Sequence, residues 1–256
     1  MDKKIKIGLF GFGRTGQVVA NEFIKDNHFD LCWVVRKSSK QHFKYASNLL
    51  GYEYKKGQIF SISDIDDNFY RENHVNIIID FSDTKGVYNY IAAADQGIKI
   101  ISAISQYQLN DLKKLKMLGS KTAVIYSPNI TLGINFLIIA SQLLKKIVPH
   151  ADIEIIEEHF KDKSEVSGTA LRIAKLLHLK SKMHINSIRV GGIVGKHEII
   201  FGLPNQTIRL VHESINRSAF GQGAIFASKF LIKKKKGLYS MENIIMESFS
   251  KNFKYT

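Results

Sequence analysis

Ile5-Lys6-Ile7-Gly8-Leu9-Phe10-Gly11-Phe12-Gly13-Arg14-Thr15-Gly16 is the stretch on which the fold turns. Its first six residues form a mostly apolar run that reads as a buried strand. Glycines 11, 13 and 16 then make a Gly-x-Gly-x-x-Gly turn, and Val18, Val19, Glu22 and Phe23 begin a helical pattern behind it. Leu31-Cys32-Trp33-Val34-Val35 supplies a second strand and completes a strand–turn–helix–strand unit. In that setting each glycine has its own task. The first permits a tight turn, the second lets a pyrophosphate approach the backbone, and the third lets the helix pack on the strand. The helix start adds N–H donors and a partial positive charge. Gly11, Phe12, Gly13, Arg14, Thr15 and Gly16 are therefore expected to hold a dinucleotide phosphate.

The residues after the second strand bear on which nucleotide it is. An NAD enzyme usually has an acidic residue there for the ribose hydroxyls. This chain has Arg36-Lys37-Ser38-Ser39-Lys40. Arg36 and Lys37 suit a 2′-phosphate, so NADPH is the expected cofactor, with NADH as the alternative donor.

Working outward, Val75 to Phe81 is a third apolar run. A helix is expected at 84–96, a strand at 98–102, a helix at 109–118 and a strand at 123–126. This alternation predicts an α/β fold, a Rossmann-like doubly wound parallel sheet. After Pro128-Asn129 the pattern changes. A long apolar helix at 133–148 precedes a strand at 152–158, a polar loop at 159–167 and a helix at 168–180. Strands at 185–195, 197–203 and 207–213 and a helix at 218–233 follow. That order predicts an α+β domain with a mixed or antiparallel sheet. The expected division is a dinucleotide-binding domain at 1–129 and a substrate-binding and oligomerisation domain at 130–236, with 237–256 packing back on the first.

The 256 residues carry 37 Lys and Arg against 23 Asp and Glu, a net charge of +14. Lys supplies 30 of those cations, scattered along a chain also rich in Ile and Asn. Compositional bias accounts for this without a polyanionic partner, and no nucleic-acid motif accompanies it. The apolar runs are too short to span a membrane, and Met1-Asp2-Lys3-Lys4 leads into a strand without a secretory apolar segment. The single cysteine, Cys32, excludes an intramolecular disulfide and a cysteine-based zinc site. A cytoplasmic chain with no metal is expected, with Cys32 and Trp33 as core residues. His197 and His212 read as sheet-packing residues, and Glu154, Glu157 and Glu158 as alternating strand faces.

The most informative segment of the second half is Glu157-Glu158-His159-Phe160-Lys161-Asp162-Lys163-Ser164-Glu165-Val166-Ser167-Gly168-Thr169-Ala170. A strand delivers a His and a Lys into a loop, and Ser-Gly-Thr then opens a helix. Such a helix start can receive a carboxylate, and an adjacent His and Lys suit proton donation to it. By local chemistry alone, a capped helix after a surface loop is an equal reading.

Here the chain resembles the dihydrodipicolinate reductase family, which has a Glu-rich strand, His-His-x-x-Lys-x-Asp and Ser-Gly-Thr-Ala. The likeness extends to Asp80-Phe81-Ser82, to Pro128-Asn129-Ile130-Thr131-Leu132-Gly133-Ile134-Asn135, and to Arg189 through His197. It continues in His212…Arg217…Phe220-Gly-Gln-Gly223-Ala224 and in Gly237-Leu-Tyr239-Ser-Met241-Glu242.

The resemblance implies reduction of 4-hydroxy-tetrahydrodipicolinate to tetrahydrodipicolinate in diaminopimelate and lysine biosynthesis, by a homotetramer. It implies His159 as proton donor and Lys163 as its partner, with the dicarboxylate substrate on Phe160, Ser167, Gly168 and Thr169. Phe81, Ser82, Ser102, Ala103, Ile104, Ser127, Pro128, Asn129 and Ile130 would line the cofactor. Four places depart from the family pattern. Phe160 stands for its second His, and Ser102-Ala103-Ile104-Ser105 for its Gly-Thr-Thr-Gly. Ile130 replaces an aromatic residue, and the loop before Ser167 is one residue shorter, with Glu165 as its acid. These departures leave a second reading, a homologue that binds NADP with an altered substrate or without turnover.

Overall fold

A computed structural model of the chain describes residues 3–66 and 68–252. What was expected of Met1, Asp2 and residues 253–256 lies outside the described residues. In chain order the strands are β1 (Ile5–Phe10), β2 (Phe29–Arg36), β3 (Gln58–Ser61), β4 (Ile77–Asp80), β5 (Lys99–Ser102), β6 (Ala123–Tyr126), β7 (Asp152–His159), β8 (Ile185–Arg189), β9 (Lys196–Leu203), β10 (Gln206–Glu213) and β11 (Gly237–Tyr239). The helices are α1 (Arg14–Lys25), α2 (Ala46–Leu49), α3 (Phe69–Glu72), α4 (Ile91–Asp95), α5 (Leu109–Leu118), α6 (Leu132–Ile147), α7 (Gly168–Leu176), α8 (Ser181–His184), α9 (Ser218–Leu231) and α10 (Met241–Asn252).

Contacts divide the chain into two compact units. The first comprises the residues up to Ile130 and those from Phe220 onward, and the second runs from Thr131 to Ala219. The first unit holds a seven-stranded sheet in the order β11-β6-β5-β4-β1-β2-β3, and every pairing in it is parallel. Strands 3-2-1-4-5-6 are the order of a Rossmann sheet, with the reversal between β1 and β4. Successive residues point to opposite faces, and both faces are covered. On one face Ile7, Leu9, Ile77 and Ile79 join Val19 and Phe23 of α1 in one apolar cluster. On the other, Phe10, Trp33, Ile78 and Ile100 join Tyr70, Tyr90 and Leu115.

The return to this unit comes at Phe220, earlier than the expected 237. Ala224, Ala227 and Leu231 of α9 enter the same cluster as Val19 and Phe23, so the helix is part of that core. Two further differences have local causes. The helix expected at 84–96 is broken into a 3-10 turn at Gly86–Tyr88 and the short α4. At the break the Tyr70 hydroxyl donates to the Asn89 carbonyl at 2.5 Å, and the Tyr90 ring turns into the core. The helix expected to reach 180 stops at Leu176, and His178 has a left-handed φ of 51°.

The second unit has a four-stranded sheet ordered β10-β9-β7-β8. β9 runs antiparallel to β7 and β10, whereas β8 is parallel to β7. Ile153 and Ile155 of β7 and Ile199 and Phe201 of β9 share one face with Ile138 of α6 and Ile173 of α7. Nearer one end of that face the rows turn polar. Register places His212 opposite His197, His197 opposite Glu157, and Glu157 opposite Ser187.

No helix among the described residues is long and apolar enough to cross a membrane. Cys32 is half-buried, and its thiol is pushed up to about 11, first by burial and then by the Asp30 charge.

Candidate active site

In the first unit the glycine turn behaves as its spacing requires. Gly11 has a φ of +94°, a conformation that side chains disfavour, and a Cβ there would sit 2.6 Å from the Phe81 carbonyl oxygen. A Cβ on Gly16 would lie 2.1 Å from the Gly11 oxygen, so the start of α1 approaches the turn as closely as backbone permits. Gly13 differs, because a Cβ on it would meet nothing within 4 Å. The open space at Gly13 is therefore the side on which a phosphate can reach the backbone. No side chain caps α1 at Gly13, and its first turn carries no acid. These residues fit a dinucleotide pyrophosphate.

Two clefts flank the turn. One, of about 710 Å³, is lined by Gly11, Phe12, Gly13, Arg36, Lys37 and Ser38 among others. The Arg36 guanidinium lies 6.0 Å from the Phe12 ring centroid and also pairs with Gln41. Lys37 is exposed. The other, of about 470 Å³, is lined by Thr15, Phe81, Ser82, Ala103, Ile104, Pro128 and Ile130, with Phe220 from α9. Phe81, Ser82 and Asp83 belong to both clefts. Arg14, Ser102, Ser127 and Asn129 line neither cleft. Ser102 and Ser127 are buried, and the Ser127 hydroxyl donates to the Asn129 carbonyl at 2.6 Å.

In the second unit the inward face of β7 carries Ile153 and Ile155, then Glu157 and His159. Glu157 is fully buried. His159 Nδ1 bonds its Oε2 atom. Arg189 grips the same carboxylate with Nη2 at 2.6 Å and Nη1 at 3.0 Å, Ser187 Oγ donates at 2.6 Å, and the Ser167 N–H at 3.3 Å. Burial pushes the Glu157 carboxyl up, but Arg189, Ser187, His159 and Ser167 outweigh it and hold it at about 2. An ionised Glu157 accepts only, so Nδ1 of His159 carries the proton and Nε2 is left as the exchangeable nitrogen.

Burial lowers the His159 imidazole, Glu157 raises it, and the charges of Lys163 and Arg189 lower it further. The net shift is downward, which makes the protonated ring a stronger acid. His197 lies edge-on to His159 with ring centroids 5.3 Å apart, and its Nε2 is 2.9 Å from Ser167 Oγ. Burial and then the His159 charge pull His197 down to about 3 against an upward pull from Glu157, with smaller downward pulls from His212 and Lys163. The Ser167 hydroxyl also caps α7, accepting from the Ala170 N–H at 3.4 Å. Gly168 is exposed at the helix start, with nothing within 4 Å of a Cβ placed on it.

Arg189 fixes the loop as well as the carboxylate. Its Nε donates to the Lys163 carbonyl and its Nη2 to the Glu165 carbonyl, each at 2.8 Å. The Lys163 side chain is half-buried, and its ammonium has no hydrogen-bond or ion-pair partner among the described residues. Phe160 is 39% exposed and Thr169 half-buried. A Cβ on Gly195 would come 3.1 Å from His159 Nε2, so the glycine keeps that nitrogen accessible.

The structure thus gathers His159, Lys163, Ser167, Gly168 and Thr169 in one unit and the residues expected to hold a nucleotide in the other. Sequence reasoning missed Glu157, Ser187 and His197 and gave Arg189 no role. The alternation of β7 carried a usable signal, since it puts Glu157 on the same face as His159. His197 is more than the sheet-packing residue expected of it, because it bonds the Ser167 helix cap and lies edge-on to His159. Among the described residues no cluster of His, Cys, Asp and Glu could hold a metal ion.

Comparison with known proteins identifies the family. Residues 5–130 match the model of the dihydrodipicolinate reductase N-terminus, and residues 130–245 that of its C-terminus. The 4-hydroxy-tetrahydrodipicolinate reductase of Wigglesworthia glossinidia brevipalpis is 34% identical over 205 residues, covering 76% of this chain and 74% of that protein. The enzyme of the same name from Buchnera aphidicola subsp. Schizaphis graminum is 29% identical over 277 residues, covering 97% and 100%. In fold, the chain matches a dipicolinate-bound dihydrodipicolinate reductase from Paenisporosarcina sp. TG-14 with a TM-score of 0.78 at 19% identity, covering 94% of this chain and 100% of that one. With both halves matched in order, the chain belongs to the dihydrodipicolinate reductase family.

Proposed function

We propose that this chain performs the reaction its relatives are named for, the nicotinamide-dependent reduction of 4-hydroxy-tetrahydrodipicolinate to tetrahydrodipicolinate in lysine and diaminopimelate biosynthesis. The observation that carries the reading is a histidine held by a buried carboxylate, beside a helix start and a lysine with no partner among the described residues, in a chain that also has the three-glycine cradle. Gly11, Gly13, Gly16 and the N–H groups of α1 hold the pyrophosphate. The clefts on either side take the two halves of the nucleotide, with Phe81, Ala103, Ile104, Pro128 and Ile130 against the nicotinamide. When bound, the dihydronicotinamide supplies a hydride to the substrate ring. Arg36 and Lys37 favour NADPH through its 2′-phosphate.

The substrate is a dicarboxylate. The Lys163 ammonium is available for one carboxylate, and the start of α7 at Gly168 and Thr169 offers N–H groups and the positive end of its dipole. Ser167 serves by capping that helix and by tying it to His197 and Glu157. His159 donates a proton from Nε2 as the hydride adds, the 4-hydroxyl of the substrate leaves as water so that the conversion balances, and Glu157 stabilises the imidazolium and fixes its tautomer. Glu157 and Arg189 are positioning residues, since both act through His159 and its loop. Association into a homotetramer rests on the family resemblance. The face of the four-stranded sheet away from its core leaves Ile188 and Val211 exposed, which supports self-association.

The test is turnover with substrate made in place from pyruvate and aspartate semialdehyde by the preceding synthase, read as loss of dihydronicotinamide absorbance. Turnover that disappears in His159→Ala and Lys163→Ala, with nucleotide binding retained, is expected. Nucleotide binding without wild-type turnover would overturn the reading in favour of a binding protein, for which the Phe160 and Ser102–Ser105 departures would then account.

A further inference from the structure

Asp80 ends β4 and is fully buried, yet neither the glycine turn nor the acid site uses it. Its carboxylate accepts from the Ser82 N–H at 2.8 Å, the Ser82 hydroxyl at 2.6 Å and the Tyr90 hydroxyl at 3.0 Å. The Tyr90 hydroxyl is in turn 3.2 Å from that of Tyr107, and the Tyr107 hydroxyl is 2.9 Å from Ser102 Oγ. A Cβ on Gly86 would lie 2.6 Å from Asp80 Oδ2, so that side is closed by backbone.

Counting donors fixes the direction of this chain. Each hydroxyl has one proton, and an ionised carboxylate only accepts. Tyr90 therefore donates to Asp80, Tyr107 to Tyr90, and Ser102 to Tyr107. Three hydroxyl protons make three bonds, all polarised toward one buried charge. The backbone adds a parallel tie, from the Ala103 N–H to the Asp80 carbonyl at 3.0 Å. The two ends of the network adjoin the segments that line the 470 Å³ cleft. Phe81, Ser82 and Thr84 belong to one, and Ala103, Ile104 and Gln106 to the other.

We propose that Asp80 is a positioning residue for the cofactor: through Ser82 on one side and the Tyr90–Tyr107–Ser102 relay on the other, its carboxylate holds segments 81–84 and 103–106 at the spacing that receives the nicotinamide. The inference rests on reading that cleft as the nicotinamide site. In this chain Ser102 and Tyr107 bring hydroxyls to a segment where the family has Gly-Thr-Thr-Gly, and the relay accounts for how this different sequence is held.

The surroundings make the charge conditional on pH. Burial pushes the Asp80 carboxyl up to about 6, against the hydrogen bonds from Ser82 and Tyr90, and Asp83 on the following loop pushes it further up. Tyr70, Tyr90 and Tyr107 around it are all raised, burial first, and stay neutral. The nearby cation, Lys85, is engaged by Asp111 at 3.1 Å. Protonated Asp80 becomes a donor, and the relay loses the acceptor that aligned it.

The experiment measures NADPH dissociation constants for wild type, Asp80→Asn and Tyr107→Phe between pH 5 and 7.5, together with amide hydrogen exchange of the nucleotide-free proteins. Taking the variant-to-wild-type ratio cancels the titration of the nucleotide's own phosphate. For Asp80→Asn the ratio is expected to be about tenfold at the upper pH and to approach one at the lower, a loss the size of one or two hydrogen bonds to a charged group. Tyr107→Phe is expected to weaken binding about threefold and to speed exchange at 103–107 without speeding it in β4 or β5, the effect of one neutral hydrogen bond. A ratio that does not change with pH, or unchanged exchange at 103–107 in Tyr107→Phe, would overturn the proposal. Exchange is read without nucleotide, so it tests the relay even if the cofactor assignment itself fails. Should Asp80→Asn not fold, Tyr107→Phe carries the test.

Discussion

The turn after β1 and the end of β7 achieve their positions by different means. At the turn, backbone does the work. Gly11 takes a φ closed to most side chains, Gly16 packs against the Gly11 oxygen, and Gly13 faces open space, all within six residues of sequence. At the end of β7, side chains from separate elements do it. Glu157 on β7 is held by Ser187 and Arg189 on β8, and His197 on β9 reaches the cap of α7. A backbone site is tolerant of what surrounds it and intolerant of any added atom. A side-chain site can lose one partner and keep its outline, but the ionisation of what remains changes.

Substitutions in the two regions should therefore fail in different ways. His159→Ala has the largest expected effect, a fall in kcat of about 10²–10⁴-fold with nucleotide affinity unchanged. Parallel turnover and binding titrations check it, and a matching loss of nucleotide affinity would blur the distinction between the regions. Gly11→Ala should do the reverse. Its Cβ meets the Phe81 oxygen at 2.6 Å in a left-handed conformation. Strain on the order of 1–3 kcal/mol is expected, read as a lowered Tm, with NADPH bound about tenfold or more weakly. Arg36→Ala with Lys37→Ala is expected to weaken NADPH about tenfold and NADH little, as a loss of charge-assisted contacts to the 2′-phosphate. Equal weakening of both nucleotides would remove the basis for NADPH preference.

This contrast also explains what could be read from sequence. The Rossmann order followed from apolar runs and one glycine spacing, because backbone geometry is written locally. β3 was not foreseen, since Gln58–Ser61 is too short to show a period. The broken helix at 84–96 depends on Tyr70 reaching the Asn89 carbonyl from 19 residues away, which no local pattern displays. His159, Lys163 and Ser167-Gly168-Thr169 were visible as one motif. Glu157 was visible too, but its role depends on Ser187 and Arg189, which reach it only through the β7–β8 register. The return at Phe220 was missed because α9 looks the same in sequence whichever unit it packs on.

A smaller effect concerns acid stability. Glu157 sits at about 2 when folded, below its ordinary value of 4.5. The unfolded chain then binds the proton more readily, so the stability this carboxylate contributes is present above about pH 4.5 and is lost as pH falls toward 2. Glu157→Gln should flatten the decline in Tm across that window. A decline as steep as that of wild type would assign acid sensitivity elsewhere.

The most direct test of the account is the pH dependence of kcat in wild type and Glu157→Gln. On the proposed mechanism His159 works protonated, so kcat falls as pH rises through its pKa, and Glu157 is the group that holds that pKa up against burial and the neighbouring cations. In Glu157→Gln a kcat lower by about ten- to a hundredfold is expected, a smaller loss than removal of His159 itself, with the fall displaced to lower pH and NADPH affinity unchanged. A profile that keeps its wild-type position and height would contradict it, because Glu157 would then be a structural neighbour of His159 with no hold on its proton.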